Sequence, residues 1–313
     1  MRVAIVGAGI SGLAAARALG ERDVEVVVLE KARRPGGRLA TAELAGGARA
    51  DIGAQFFTAR SARFEAAVGD WVDEGLAHVW CRGFNGDQDG HPRYAVAGGM
   101  RRLAEALARG VRVELSTHVT AVTPSADGWT VSWPQAHGHG AGALSAHAVL
   151  LTAPREQSAA LVAPLPVPGC EYSATAALAL ELDGPPRIAA PGGERTDPQS
   201  GWSWVADNVA KGASERPSTT LHSTAEVGRA ALGRPGEELL AELIVAAGPW
   251  IAGREVLDAR LHRWRYATPK TIDPAPFIEL APGLFVAGDA FAGPRVEGAF
   301  LSGRAVADQL GAA

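Results

Sequence analysis

Residues 1–12 read Met1-Arg2-Val3-Ala4-Ile5-Val6-Gly7-Ala8-Gly9-Ile10-Ser11-Gly12. The apolar run 3–6 has the length and character of a buried strand. Gly7, Gly9 and Gly12 follow in G-x-G-x-x-G spacing, and 13–19 continues as an Ala-rich helical pattern. A second apolar run, 24–29, ends in Glu30. Each part has a physical use. Gly7 permits a tight turn, Gly9 lets a pyrophosphate approach bare backbone, and Gly12 lets helix and strand pack closely. The helix N-terminus offers unpaired N–H groups and the positive end of a dipole. A carboxylate eighteen residues after Gly12 is placed to accept hydrogen bonds from a ribose. The stretch predicts a dinucleotide-binding βαβ unit.

Pro35-Gly36-Gly37-Arg38 comes soon after Glu30. A second glycine turn here suits a ligand that runs on past the adenosine, although a Pro-Gly surface turn has the same look. The far end of the chain favours the longer ligand. Residues 283–287 read as a turn and buried strand closed by Gly288-Asp289, and a final helix is expected over 300–310 after Glu297-Gly298-Ala299. Asp289 at a strand end suits a hydroxylated linker such as ribitol. A helix N-terminus suits a ring system that gains negative charge on reduction. Together the two ends point to FAD, held without a covalent bond because neither Cys81 nor Cys170 lies in these motifs.

Cofactor segments at both ends make the cofactor domain discontinuous. The expected fold is α/β, with a Rossmann-like FAD-binding domain over 1–60, 101–154 and 267–313. A sheet-based substrate domain takes 61–100 and 155–266. Helices are expected over 61–76, 101–108 and 237–250, and a hairpin around 125–128. Strands are expected over 111–115, 146–152, 173–182, 202–206, 219–224 and 256–266. The Gly/Pro-rich stretch 192–201 reads as a loop. The chain has 313 residues, 47% of them apolar, enough for a sizeable core. A net charge of −4 gives no basic footprint for nucleic acid. No apolar run is long enough to span a bilayer, and the strand begins too early for a signal peptide, so a cytoplasmic protein off the membrane is expected. Two isolated cysteines fit a reducing compartment. Lysine occurs only at 31, 211 and 270, and Lys270 has no evident role. His137, His139 and His147 lack neighbouring Cys or acid ligands, so no metal site is expected. Alternation puts Arg260, His262, Trp264 and Tyr266 on one strand face, either as core packing or as a wall for a planar substrate. His222 sits mid-strand, either structural or poised to hydrogen-bond a ligand.

The segments 7–12 (GAGISG), 30–41 (EKARRPGGRLAT), 51–58 (DIGAQFFT), 98–100 (GGM), 262–267 (HRWRYA) and 283–291 (GLFVAGDAF) resemble renalase-like flavoproteins. Residues 150–154 (LLTAP) and 296–303 (VEGAFLSG) add to the likeness. These proteins belong to the wider amine-oxidase and p-hydroxybenzoate-hydroxylase-fold group. The resemblance spans nearly the whole chain. It implies an oxidase that returns 2- or 6-dihydro isomers of reduced NAD(P) to NAD(P)+, with O2 reduced to hydrogen peroxide. A flavin amine oxidase or desaturase of the same fold, or a flavin-holding interaction protein, is the alternative. The resemblance implies that Gly7, Gly9, Ile10, Ser11 and Gly12 surround the pyrophosphate, and that Glu30, with Lys31, binds the adenosine ribose. Val119 would meet adenine through its backbone. Gly37, Arg38, Leu39 and Thr152 would also contact the cofactor. Gly53, Ala54, Gln55 and Phe56 would border the isoalloxazine, and Gly288, Asp289, Glu297, Gly298 and Ala299 the ribitol and pyrimidine. His222 and Trp264, with Gln55 and Phe56, would line the substrate pocket. One stretch departs: where bacterial relatives carry Arg-Asn and then Lys-Pro-Gly-Arg, this chain reads Ala206-Asp207-Asn208-Val209-Ala210-Lys211-Gly212-Ala213.

Overall fold

The computed structural model describes residues 1–86, 90–134, 141–291 and 293–312. The chain divides into two compact units. One comprises Met1–Gly37, Ala104–Glu171 and Pro269–Ala313, the other Arg38–Leu103 and Tyr172–Thr268.

The first unit is built on a six-stranded sheet. Its strands run in the order Ile278–Ala281, Leu284–Val286, Ala148–Leu151, Arg2–Val6, Glu25–Leu29, Arg112–Glu114. All neighbours are parallel except the first pair. Parallel strands are covered on both faces, which is why they read as unbroken apolar runs. Ile5 lies between Leu150 and Val28, and all three are fully buried. The helices Ile10–Gly20 and Val296–Gly311 pack on each other. They approach so closely that a Cβ on Gly303 would lie 2.0 Å from the Ser11 carbonyl oxygen. The hairpin predicted around 125–128 is present, extended by a third strand, Gly142–Ala146, into a meander.

The second unit centres on a five-stranded sheet ordered Gly193–Glu194, Trp202–Asp207, Ser218–Ser223, Tyr172–Leu182, Val256–Pro269. Strand alternation gives it two different faces. Leu178, Leu180, Leu182, Val205 and Leu221 turn to one side and pack with Leu239, Leu243 and Ile251 from the covering helices. Ala177, Ala179 and Trp264 turn to the other and pack with Ala48, Ala50 and Ile52. His222 follows Leu221 in the strand, so it also belongs to this second face.

The structure differs from the sequence expectation in several places. Residues 38–60 cluster with the sheet of the second unit, because Ala50 and Ile52 pack on Ala177 and Ala179. Residues 155–171 belong to the first unit, where Arg155 pairs with Asp273. The helix expected over 237–250 is two helices, Gly236–Ala246 and Gly248–Ile251, because Pro249 lacks the N–H needed to continue the ladder. The 192–201 stretch carries a short strand, Gly193–Glu194, and a 3-10 turn, Pro198–Ser200, capped by Asp197. His137 and His139 lie outside the described residues.

Candidate cofactor and substrate sites

In the first unit the parallel strands Arg2–Val6, Ala148–Leu151 and Leu284–Val286 end next to Gly7, Thr152 and Gly288. Crevices beyond the carboxyl ends of such strands are where open α/β sheets take ligands. Gly7 has φ +112°, and Thr152 Oγ1 sits 3.2 Å from its carbonyl oxygen, so the turn is closed tightly from behind. Gly9 caps the helix Ile10–Gly20 with no side-chain hydrogen bond to the first turn. A Cβ built on Gly9 would meet nothing within 4 Å. Ser11 is buried, yet its Oγ has no partner among the described residues. An uncapped helix N-terminus, an open glycine and an orphaned buried hydroxyl fit a pyrophosphate.

Glu30 is buried at the end of the second strand. Its two oxygens accept from the Ala8 and Ala32 N–H groups, each at 2.8 Å. It therefore shapes the glycine loop, and its remaining lone pairs are what a ribose would use. Val119 is buried nearby in sequence to the meander, whereas Lys31 is exposed. At the other end, Gly288 N–H donates to Ser302 Oγ, which in turn donates to the Pro276 carbonyl. The last helix starts at Val296, four residues before the expected start, so Glu297, Gly298 and Ala299 form its first turn. Arg155 holds the same loop: it pairs with Asp273 at 3.1 Å and lies 4.3 Å over the Phe291 ring. Neither Ser302 nor Arg155 stood out in the sequence, because their partners are loop atoms and a ring that only the folded chain brings to them.

The second unit holds Arg38, Leu39, Gly53, Ala54, Gln55, Phe56, His222 and Trp264. Arg38 and Gly53 are in close backbone contact: a Cβ on Gly53 would lie 2.0 Å from the Arg38 carbonyl oxygen, and Ala54 N–H donates to that oxygen. Gln55, His222 and Trp264 meet around the Ile52 carbonyl. Trp264 Nε1 donates to it at 2.7 Å, and His222 Nε2 lies 3.2 Å from it. Gln55 Nε2 is 3.4 Å from His222 Nε2. The His262 ring packs on Trp264 with centroids 4.0 Å apart, Trp264 also packs on the Ala177–Ala179 cluster, and Tyr266 meets Tyr172 at 5.6 Å. Phe56 turns into a different cluster, with Phe84 at 5.1 Å and Trp204 at 5.6 Å.

Beneath Gln55 lies a group not foreseen from sequence. Lys211 is fully buried. Its Nζ donates to Gln55 Oε1 at 2.9 Å and sits 3.1 Å from Asp51 Oδ2. Burial lowers the Lys211 pKa, and the Asp51 charge opposes that shift. Asp51 Oδ1 is taken by Thr41 Oγ1 at 2.6 Å and by the Met100 N–H at 2.8 Å. The 206–213 stretch that departs from bacterial relatives builds this arrangement. Asp207 Oδ1 accepts from the Val209 and Ala210 N–H groups, turning the chain so that Lys211 points inward, and Asn208 Oδ1 accepts from Asp51 N–H. A lysine in an arginine-rich chain that has only two others was the available signal. Burial first, and then the Lys211 charge, lower the His222 pKa to about 4. Burial also lowers the His262 pKa. Both imidazoles are thus favoured in the neutral form.

Comparison with known proteins gives the family. Residues 5–71 match the NAD(P)-binding Rossmann-like domain, and residues 59–311 match the flavin containing amine oxidoreductase family. A hydroxyneurosporene desaturase of Rubrivivax gelatinosus is 36% identical over 117 residues, 34% of this chain and 21% of that protein. FLOWERING LOCUS D of Arabidopsis thaliana is 51% identical over 59 residues, 18% of this chain and 8% of that protein. The chain thus spans about a fifth or less of the length of these two relatives. Among solved structures, a protein described as a protoporphyrinogen oxidase from Exiguobacterium sp. 255-15 superposes with TM-score 0.70 at 14% identity, covering 99% of this chain and 98% of that one. A putrescine oxidase bound to putrescine gives TM-score 0.66 at 16% identity, with both chains covered completely. At such identities the likeness concerns the fold. The family match covers most of the chain, and the orphaned Ser11 and open Gly9 suit the group that this family carries. The protein is a member of the flavin containing amine oxidoreductase family, and its cofactor is FAD.

Proposed function

We propose that this protein is an oxidase of reduced nicotinamide nucleotide isomers, taking a hydride from a 2- or 6-dihydro ring and releasing NAD(P)+. The balance is one dihydropyridine, one O2 and one proton giving one pyridinium and one H2O2. When bound, FAD supplies the two-electron acceptor that O2 reoxidises. The observation that carries the reading is the Gln55–His222–Trp264 constellation around the Ile52 carbonyl. It offers a planar aromatic wall and an uncharged imidazole, which suit a neutral, flat donor. A cationic amine would be better served by a free carboxylate. Asp51, whose backbone carbonyl meets the Gln55 amide, has its carboxylate engaged by Lys211, Thr41 and Met100. Hydride loss from a dihydropyridine also needs no base to remove a proton. His222 would orient the carboxamide, and Trp264 would stack on the ring.

Anaerobic stopped-flow with 2- and 6-dihydro isomers, ordinary NADH and a panel of amines tests the proposal. Fast bleaching of the flavin by an isomer, then peroxide on admitting air, is the expected outcome. Bleaching by amines alone would transfer the protein to the amine-oxidase reading. No bleaching by any donor would leave the nicotinamide proposal without support.

A further inference from the structure

The buried Lys211 has no part in the hydride step, yet it makes a hydrogen bond that fixes its neighbours. An ammonium only donates, so the Gln55 atom 2.9 Å from Nζ must be the amide oxygen. The amide nitrogen then faces the carbonyl oxygens of Asp51 and Gly53, which accept its two hydrogens. With both hydrogens spent, Gln55 has none to give the His222 Nε2 beside it. The Ile52 carbonyl only accepts, so the His222 Nε2 at 3.2 Å must carry the imidazole hydrogen. That leaves a lone pair on Nδ1, and no hydrogen bond to Nδ1 is found among the described residues. The imidazole is half-buried rather than sealed. Among the described residues, the charge acting on it is Lys211, from the turn after Trp202–Asp207, which pairs with Asp51 of the strand Arg49–Asp51; His262 packs on Trp264, which shares the Ile52 carbonyl with His222. The strand neighbours of His222, Ala177 and Trp204, carry no charge.

We propose that Lys211 is a positioning residue that locks the Gln55 amide and holds His222 as an uncharged Nε2–H imidazole, so that Nδ1 accepts a hydrogen bond from an N–H of the substrate. The identity of that N–H as a carboxamide rests on the function proposed above; the protonation state of His222 does not. Two effects of Lys211 act together here. Its charge opposes a second positive charge on the imidazole, and its grip keeps the Gln55 oxygen away from Nε2, where it would stabilise imidazolium.

The test is imidazole 15N NMR of the holoenzyme, with the His222 signal assigned by its loss in His222→Gln. The expected result is a neutral Nε2–H tautomer between about pH 5.5 and 7.5. In Lys211→Met the titration should climb toward the ordinary 6.5. Lys211→Gln, which keeps a polar end near Gln55 without charge, is the second variant should the first not fold, and the same rise is expected. An imidazolium or Nδ1–H form in the wild type near neutral pH would overturn the proposal. So would a folded, uncharged variant whose His222 titration is unmoved. Because the titration needs no substrate, it can succeed while the nicotinamide screen fails, and the two outcomes are separable.

Discussion

At the scale of single residues, Trp264 and His222 share one backbone acceptor but do different work. Trp264 gives the Ile52 carbonyl its better hydrogen bond and supplies the flat surface on which His262 packs. Its truncation removes a stacking surface and a donor together. Trp264→Ala should therefore slow flavin reduction by about 10-fold or more. His222→Ala removes an orienting contact and no obligatory base, so a loss of about 3- to 10-fold, mainly in substrate binding, is expected in the same anaerobic assay. His222 also has a consequence for stability. Its folded-state pKa, about 4, lies below the ordinary 6.5. As pH falls below 6.5 the unfolded chain takes up a proton that the folded chain refuses. The native state is thus destabilised through the window from 6.5 down to about 4, by at most about 3 kcal/mol. Urea unfolding at pH 7.5 and 4.5 should show a smaller acid loss for His222→Gln than for the wild type. An equal loss in both would mean that His222 titrates normally.

At the scale of elements, the turn from the first strand into the first helix separates folding from binding. Gly9 has φ −78° and open space around its missing Cβ, so an alanine there meets no protein atom. Gly9→Ala should leave the stability of the apoprotein within about 1 kcal/mol of wild type, since only a preferred cap residue is lost. FAD retention should drop at least about 10-fold, because the methyl group takes space needed by the pyrophosphate. Equilibrium dialysis and thermal melts of the apoprotein read the two effects apart. Glu30→Ala should fail in both, losing about 1.5–3 kcal/mol of FAD affinity and also the anchor of the Ala8 and Ala32 N–H groups. This turn was legible in the sequence because its information is local: strand, glycine spacing, helix and acid follow one another within thirty residues. The start of the last helix was less legible. Pro294 and Arg295 precede the helix as read from the sequence, but the chain is helical already from Val296 rather than from Phe300. Lys211 was illegible for a different reason. Its partners Asp51 and Gln55 are about 160 residues away in sequence, and only the register of the sheet brings them to it.

At the scale of the whole molecule, both units are assembled from segments far apart in the chain. Alternation along 173–182 and 260–266 was visible in the sequence, whereas the edge strand Gly193–Glu194 was hidden in a stretch that reads as loop. What the sequence could not give was the partition of residues 38–60, since a short hairpin packs wherever its alanines find a matching face. The residues proposed for the cofactor within the first unit come from all three of its segments: Gly9 and Glu30 from the first, Val119 and Thr152 from the second, Gly298 from the third. A ligand that engages all three binds the native unit and not the unfolded chain, so it must stabilise by mass action. Neither cysteine belongs to these segments' contact residues: Cys81 lies in the second unit, and Cys170 is buried with its Sγ 3.4 Å from the Thr271 carbonyl oxygen. Attachment of FAD by a thioether is therefore not expected. Acid precipitation should release the flavin entirely into the supernatant, and its persistence in the pellet would refute the non-covalent reading. Refolded apoprotein given FAD at about 100 times its Kd should gain about 2.7 kcal/mol. That gain should appear as a concentration-dependent rise in melting temperature, and for a 10-fold weaker Gly9→Ala it should fall to about half, about 1.4 kcal/mol, at the same FAD concentration. An equal rise in both proteins would show that the glycine turn does not hold the pyrophosphate.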